Sequence, residues 1–187
     1  LEFGVGIPGS LGGSVFGNAG CFGVEIKDVL IEAHIWHAGA QSRLSNADLD
    51  FAYRRSALQS HSGTPVVLEA LLQATADDPD AIRARMTDLS RQRRATQPAR
   101  PSAGSIFRNP PGDPAGRLLD AAGLKATRSG NAQISDQHAN FIVNIGGATA
   151  ADVAALIQRA RTAVADQFNI QLETEIRFIG EGFGAAP

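Results

Sequence analysis

The sequence predicts an α+β fold in two lobes. The first lobe combines a glycine-rich segment with three strands up to about residue 75, and the second alternates helices and strands from about Asp80 onward. We place the domain boundary between residues 76 and 77, giving domains 1–76 and 77–187. With 187 residues, 43% of them hydrophobic, the chain can bury a core in one or two compact domains.

Residues 1–25 predict an ordered loop with short helical turns. Eight of them are glycine, a density that disfavours a regular helix, yet the apolar content is too high for a flexible linker. Such a loop can offer several backbone N–H groups to a pyrophosphate, with Ser10, Ser14 and Asn18 adding side-chain donors. A purely structural loop is the alternative, because the G-x-G-x-x-G spacing from Gly4 to Gly9 is a weak match with Pro8 inside it.

Three strands are predicted after this segment. Residues 29–37 alternate between apolar and polar side chains, and residues 41–44 can pair back with them across a turn at 38–40. The third strand covers residues 64–75, and we expect its apolar side chains to share one side of the strand. These side chains are Val66, Leu68, Ala70 and Leu72.

A helix is predicted from Pro79 to about residue 94, because Asp78 can cap it and Pro98 ends it. Its apolar stripe consists of Ile82, Arg85, Met86 and Leu89. The helix is also basic, with Arg83, Arg85, Arg91, Arg93 and Arg94. No aromatic residues are interleaved, so a solvated face or diphosphate steering is favoured over nucleic-acid binding.

The remaining elements belong to the second lobe. Five prolines and two glycines in residues 95–114 predict irregular backbone. A short helix follows at residues 115–122, closed by Gly123, and then an apolar strand at 138–145. Thr149 should cap a long helix that ends at Phe168 before a left-handed Asn169, and a last strand covers residues 172–179.

Composition excludes several classes of function. The net charge of −2 gives no overall attraction for nucleic acid or an anionic membrane, and no run of 18 apolar residues occurs. Residues 1–6 lack the basic start and apolar middle of a secretory signal, so we do not expect one. Cys21 is the single cysteine, so we expect a reducing, cytoplasmic setting without a disulfide or metal site. Redox chemistry would therefore need an organic cofactor. Because the single methionine is Met86, we expect that an N-terminal part precedes Leu1.

The glycine-rich segment resembles a known family. GIPGSLGGSVFGNAGCFG fits the flavin-binding pattern G-I-P-G-x-x-G-G-x-x-x-x-N-A-G-x-[FY]-G of UDP-N-acetylenolpyruvoylglucosamine reductases, the MurB family. The likeness continues through Tyr53-Arg54, PSAGSIFRNP, AQISDQHANFIVN and LETEIRFIGE. The family's earlier flavin-binding stretch is missing. The resemblance implies a partial FAD-binding domain followed by a substrate-binding domain, whose last strand and tail return toward the flavin.

The resemblance implies a reaction and its cofactors. Members of this family use NADPH to reduce FAD, and the reduced flavin then delivers a hydride from N5 to the enolpyruvyl ether of UDP-N-acetylglucosamine, giving UDP-N-acetylmuramate for peptidoglycan. The resemblance implies flavin contacts at Gly6, Ile7, Pro8, Gly9, Ser10, Gly12, Gly13, Asn18, Ala19 and Gly20. We expect a monomer whose partner is the nucleotide sugar. A UDP-sugar-binding module without turnover, or a related flavin oxidoreductase with another substrate, stays open.

Three residues match the family's catalytic positions. Ser105 would protonate the substrate carbanion. A serine hydroxyl is a poor acid, but a carbanion is a strong base, so the position of the hydroxyl matters more than its acidity. Glu175 would hydrogen-bond the enolate from a strand, and Glu173 competes with it two positions away. Arg54 would hold the substrate carboxylate with its guanidinium fork, although the neighbouring Arg55 competes for this role.

The resemblance also nominates substrate-binding residues. These are Tyr53, Asn109 near the diphosphate, and His138, where some relatives place Gln. A structural role for His138 is the alternative. Thr96 stands where several relatives have a phosphate-binding lysine, so Arg93 or Arg94 would supply that charge. The short connection at residues 76–79 predicts the family type without a tyrosine loop over the substrate.

Overall fold

The computed structural model describes residues 1–63 and 65–180, which form two compact units, residues 1–92 and 93–187. Helices and antiparallel sheets occur together, so the predicted α+β class is confirmed. The chain is divided between residues 92 and 93, inside a helix, whereas the domain boundary between residues 76 and 77 stays a prediction. The predicted return of the C-terminal tail involves residues 181–187, which lie outside the described residues.

The glycine-rich segment of the first unit contains short, regular elements. A 3₁₀ turn at Glu2–Gly4 precedes helix α1, Leu11–Phe16, and a hairpin of β1, Gly20–Cys21, and β2, Val24–Glu25. The expected helical turns are present, but two glycines lie inside a regular helix, contrary to expectation. Ser10 caps α1 by accepting a hydrogen bond from Gly13 N–H, and a Cβ at Gly12 would lie 3.3 Å from Val67 Cβ.

A three-stranded antiparallel sheet completes the first unit. It has the order β4, Ala40–Ser45; β3, Leu30–His37; β5, Val66–Leu72. The expected single apolar side of β5 is wrong. The register with β3 shifts at Leu68, and Val67, Ala70 and Leu72 therefore pack on the core while Val66 and Leu68 are exposed.

Helix α2 spans Pro79–Thr96 and no residue of it is buried. The predicted start at Pro79 is confirmed. The predicted apolar stripe is only half-buried at Ile82 and Leu89, and Met86 is 37% exposed. Arg85, which we placed in that stripe, instead pairs with Glu2 and Asp77.

The second unit is built on a four-stranded antiparallel sheet in the order β6, Ser102–Ser105; β9, Phe141–Asn144; β8, Ala132–Ile134; β7, Arg128–Ser129. Helices α3, Ala115–Ala121, and α4, Ala150–Phe168, pack on one face of it. The core includes Leu118, Ile134 and Ile157. The predicted caps at Thr149 and Asn169 are confirmed, since Thr149 forms a capping box with Asp152 and Asn169 has φ of 55°.

The second unit differs from expectation in three places. The proline-rich stretch is not irregular throughout, because residues 102–105 pair with β9 as an edge strand, a place where flanking prolines are tolerated. The β7–β8 hairpin was not predicted. Residues 172–179 form only an isolated bridge between Thr174 and Phe107, not a strand. None of the described helices is long and apolar enough to cross a membrane.

Candidate functional site

The end of β6 brings Ser105 and Glu175 into neighbouring backbone segments. Glu175 N–H donates to the carbonyl oxygen of Ile106 at 2.8 Å, one residue after Ser105. Arg108 N–H donates to Glu173 O at 2.9 Å, so the two segments run side by side for several residues. Both Ser105 and Glu175 are half-buried. A hydroxyl and a carboxyl therefore lie on adjacent backbone although 70 positions separate them in the sequence.

The competing carboxylate, Glu173, has a different environment. Its side chain is 77% exposed and its Oε2 lies 3.8 Å from Arg108 Nη1. Glu175 is more buried than Glu173. An exposed carboxylate beside an arginine is the ordinary arrangement of a surface ion pair, so Glu175 is the better candidate for chemistry.

A cavity of about 420 Å³ adjoins Ser105. Its lining includes two further predicted residues, Asn109 and His138, and also Lys125 and Asn140. A larger cavity of about 630 Å³ is lined by residues such as Arg100 and Arg128 and by none of the predicted site residues. The volume of a cavity does not show what it binds. We take the cavity beside Ser105 as the candidate site because predicted site residues line it.

His138 presents a defined face to this cavity. Asn140 N–H donates to its Nδ1 at 3.2 Å, and this contact requires the ring proton to be on Nε2. Burial lowers the pKa of His138, with the positive charge of Lys125 as a smaller cause. Gly116 gives the ring its space, since a Cβ there would lie 2.9 Å from His138 Cε1. His138 is therefore a neutral hydrogen-bond donor through Nε2.

Asn109 and Lys125 supply polar groups on the α3 side of the cavity. Asn109 Oδ1 accepts a hydrogen bond from Ala115 N–H at 3.0 Å, which satisfies a donor at the start of α3. Lys125 Nζ lies 2.7 Å from Asp120 Oδ2. Lys125 was missed from the sequence. No motif marks it, because its place in the cavity follows from the fold.

The end of α2 is tied to the turn that carries His138. Gln137 Nε2 donates to Ala95 O at 3.0 Å, and Arg93 Nη1 donates to Gln97 Oε1 at 3.3 Å. Thr96, at the position where the resemblance led us to expect a lysine, is the last residue of α2 and is exposed. The substitute for that lysine, Arg93 or Arg94, stays a prediction.

Arg54 lies in the first unit and adopts a rare backbone conformation. Its φ is 54°, a left-handed value that side chains other than glycine seldom adopt, and such values concentrate at functional sites. Arg54 Nη2 donates to Gly20 O at 2.9 Å, and its guanidinium lies 5.0 Å from the centroid of the Tyr53 ring. The competitor Arg55 has an exposed side chain paired with Asp50 at 3.2 Å. Arg54 is the arginine held in place.

Asn18 is fully buried, and its side chain bonds within the protein. The amide nitrogen donates to Glu25 Oε2 at 3.0 Å and to Ala52 O at 2.9 Å, and Oδ1 accepts from Lys27 N–H at 3.0 Å. These bonds occupy both amide hydrogens, so the Asn18 side chain supports the fold here, and its predicted contact with the flavin stays a prediction. Glu25 also lies 4.0 Å from Arg54 Nη1, and the network therefore reaches Arg54.

The segment that precedes α1 fits a pyrophosphate. Residues 6–11 are exposed, and among the described residues the backbone N–H groups of Gly9, Leu11 and Gly12 have no hydrogen-bond partner. Ser10 Oγ accepts from Gly13 N–H and Ser14 Oγ donates to Ser10 O. Exposed backbone donors without side chains in the way are what such a ligand needs. Of the predicted contacts, Gly9 and Gly12 have such a free N–H, whereas Ile7 and Gly13 donate within the segment and Pro8 has no N–H. Ala19 and Gly20 belong to the following turn and hairpin, and the flavin contacts stay predictions.

Comparisons with known proteins agree on one family. The model of the UDP-N-acetylenolpyruvoylglucosamine reductase C-terminal domain matches residues 97–179. Reductases of that name from Chloroflexus aurantiacus and Limosilactobacillus reuteri are 48% and 47% identical over 183 and 182 residues, 96% of this chain in both cases. The crystal structure of the Thermus caldophilus reductase matches with a TM-score of 0.81 at 40% identity, over 94% of this chain and 62% of that one. This chain spans about three fifths of the length of these relatives, 62% and 60% of the two sequences.

Proposed function

Because the chain belongs to the family of UDP-N-acetylenolpyruvoylglucosamine reductases, we propose that it forms the substrate site and part of the flavin site of such an enzyme. The reaction is the NADPH-driven reduction of UDP-N-acetylglucosamine enolpyruvate to UDP-N-acetylmuramate, an oxidoreductase step in peptidoglycan synthesis. The substrate is a small molecule, and we expect the enzyme to act as a monomer in the cytoplasm.

One observation carries this proposal. The hydrogen bond from Glu175 N–H to Ile106 O sets a carboxyl beside the segment that ends in Ser105, next to a cavity with polar walls. Reduction of a vinyl ether next to a carboxylate develops negative charge that must be stabilised and then protonated. A hydroxyl and a carboxyl on adjacent backbone meet these two needs.

The residues of the chain divide the work as follows. FAD, when bound, supplies the hydride that it has received from NADPH. Ser105 donates a proton to the carbon next to the ether oxygen and regains one from solvent, and Glu175 in its protonated form donates a hydrogen bond to the developing enolate. Arg54 binds the substrate carboxylate, because a planar guanidinium can donate two parallel hydrogen bonds to it. Tyr53, which is 44% exposed and stacked under Arg54, extends this surface.

The cavity walls suit the nucleotide part of the substrate. Lys125 is positively charged, as expected for a group near a diphosphate, and Asn109 lines the same cavity. His138 offers a neutral N–H donor, which is also what a glutamine amide offers at this position in relatives. A neutral donor binds a carbonyl or phosphate oxygen without adding charge to the site.

A UDP-sugar-binding module without turnover is the second candidate. Four groups proposed to line the nucleotide site belong to the second unit: Ser105, Asn109, Lys125 and His138. This location favours the binding module, because one unit supplies all four. This candidate predicts binding of UDP but neither bound flavin nor substrate-dependent oxidation of NADPH.

A single preparation separates the two candidates. Full-length protein is purified, its absorbance near ~450 nm is recorded as a sign of bound flavin, and NADPH oxidation is followed with and without the enolpyruvyl nucleotide. A reductase is yellow and oxidises NADPH faster when the nucleotide is present. A colourless protein that binds UDP without turnover would replace the reductase with the binding module.

A further inference from the structure

Asn140 stands out as a buried polar side chain beside the proposed catalytic segment. It is 3% exposed, although burial of an amide is costly unless all of its groups find partners. Its Oδ1 accepts from Phe107 N–H at 2.9 Å and its Nδ2 donates to Phe107 O at 2.8 Å. One side chain thus satisfies both backbone groups of a single residue.

These bonds extend the pairing of β6 with β9. Ser105 pairs with Phe141, and Ile106 N–H donates to Asn140 O at 2.9 Å. At Phe107 no backbone of β9 is opposite, and the side-chain amide of Asn140, which has the same donor and acceptor geometry as a peptide group, takes its place. Phe107 is 2% exposed, so water would not replace this partner.

Residues 106 and 107, the 106–107 strip, face the segment with Glu175 on their opposite side. Phe107 bridges to Thr174, and Ile106 O accepts from Glu175 N–H. Residues 106 and 107 are therefore held between Asn140 on one side and residues 174 and 175 on the other. A shift of this strip would move Ser105 and Glu175 together.

We propose that Asn140 is a positioning residue, whose side-chain amide fixes the strip at residues 106–107 and thereby sets Ser105 and Glu175 against the substrate. This inference rests on the proposed reductase function. Catalytic groups displaced by about 1 Å can lose on the order of 10²-fold in rate. Substrate binding depends on other cavity residues, so kcat should fall much more than KM rises.

The test uses Asn140→Leu, which keeps the size of the side chain and removes both hydrogen bonds, in full-length protein that carries its flavin. The matched control is Asn144→Ala at the other end of β9. Like Asn140, Asn144 makes two side-chain hydrogen bonds to the backbone, because its Oδ1 accepts from Gly146 and Ala148 N–H. We expect kcat to fall by about 10²-fold in N140L with KM within about threefold, and both constants to stay within about threefold in N144A.

A second measurement needs no variant and no turnover. In the wild-type protein, hydrogen exchange of the Phe107 amide should be as slow as that of core amides in α4 such as Ile157. Fast exchange at Phe107 would overturn the proposal, as would a folded N140L with unchanged kcat or an equal loss of kcat in both variants. A wild-type protein without substrate-dependent NADPH oxidation would instead overturn the proposed function and leave the exchange result to decide the role of Asn140 in the fold.

Discussion

The two units place their proposed functional groups by different means. Among the residues that the structure describes, the core cluster of the second unit has 15 buried residues and that of the first has eight. In the second unit, Ser105 directly precedes Ile106 and Phe107, which are buried in this core. In the first, Arg54 is held by a left-handed backbone and a hydrogen bond to Gly20 O, next to the buried amide of Asn18. Packing positions one set of groups and polar contacts position the other, so the two sets should respond to different mutations.

The largest effect should come from Ser105→Ala. Loss of the proton donor should lower turnover by about 10²- to 10⁴-fold, because no other hydroxyl is assigned to the proton transfer. Reduction of the flavin by NADPH should stay intact, and stopped-flow absorbance separates it from reoxidation by substrate. Ser102→Ala, in the same strand but exposed, is the matched control. Equal loss of both half-reactions in S105A would remove Ser105 from the chemistry.

The comparison of the units is sharpened by one buried substitution in each. Asn18→Leu leaves Lys27 N–H without a partner and should cost about 2–3 kcal/mol, whereas Leu118→Ala creates a cavity and should cost about 2–5 kcal/mol. Urea unfolding gives the total, and hydrogen exchange gives the location. We expect N18L to speed amide exchange in residues 1–92 and L118A in residues 93–180. If amide exchange rises equally in both units for both variants, the two units unfold together and are not separate in stability.

Arg54→Lys should have an intermediate effect. Lysine meets the same backbone cost at this left-handed position, so the variant tests the loss of the guanidinium fork together with its hydrogen bond to Gly20 O and its stacking on Tyr53. We expect kcat/KM to fall on the order of 10-fold, as for one lost charged hydrogen bond. Arg55→Lys, next in sequence and exposed, serves as control. Equal kinetics in the two variants would mean that Arg54 does not contact substrate.

The smallest effect should be a pH dependence of stability from His138. Its folded pKa is lowered, so the unfolded chain binds the proton more readily and the stability contribution is lost as the pH falls through the ordinary histidine value near 6.5. The urea midpoint should therefore drop between pH 8 and pH 5.5, and this drop should be smaller in His138→Gln. The other three histidines are present in both proteins and cancel in the difference. An identical drop in both proteins would contradict the neutral state assigned to His138.

Local rules predicted part of this fold well. The capping box at Thr149, the left-handed Asn169 and proline at the first position of α2 depend on neighbouring residues, which a sequence displays directly. The wrong expectations depend on partners distant in the chain. β6 is a strand because β9 lies beside it, residues 172–179 are not because only Thr174 bridges to Phe107, and the bulge at Leu68 follows from its register with β3.

The candidate site shows the same contrast between what local motifs reveal and what depends on distant contacts. Motif resemblance nominated Ser105, Glu175, Arg54, Asn109 and His138, and three of them line or adjoin a single cavity. The supporting residues were not predicted. The roles of Asn140 and Lys125 depend on hydrogen bonds and on a cavity that exist only after folding, and the same holds for the bonds of the Asn18 amide to Glu25 and Ala52.

The register shift at Leu68 also bears on solubility. β5 lies at the edge of its sheet and carries the exposed apolar side chains of Val66, Leu68 and Leu71. A straight, apolar edge strand is a template for aggregation, whereas a bulged one is twisted away from a flat neighbour and the charge of Glu69 interrupts its apolar run. The bulge therefore disfavours pairing of this edge strand with a strand of another molecule.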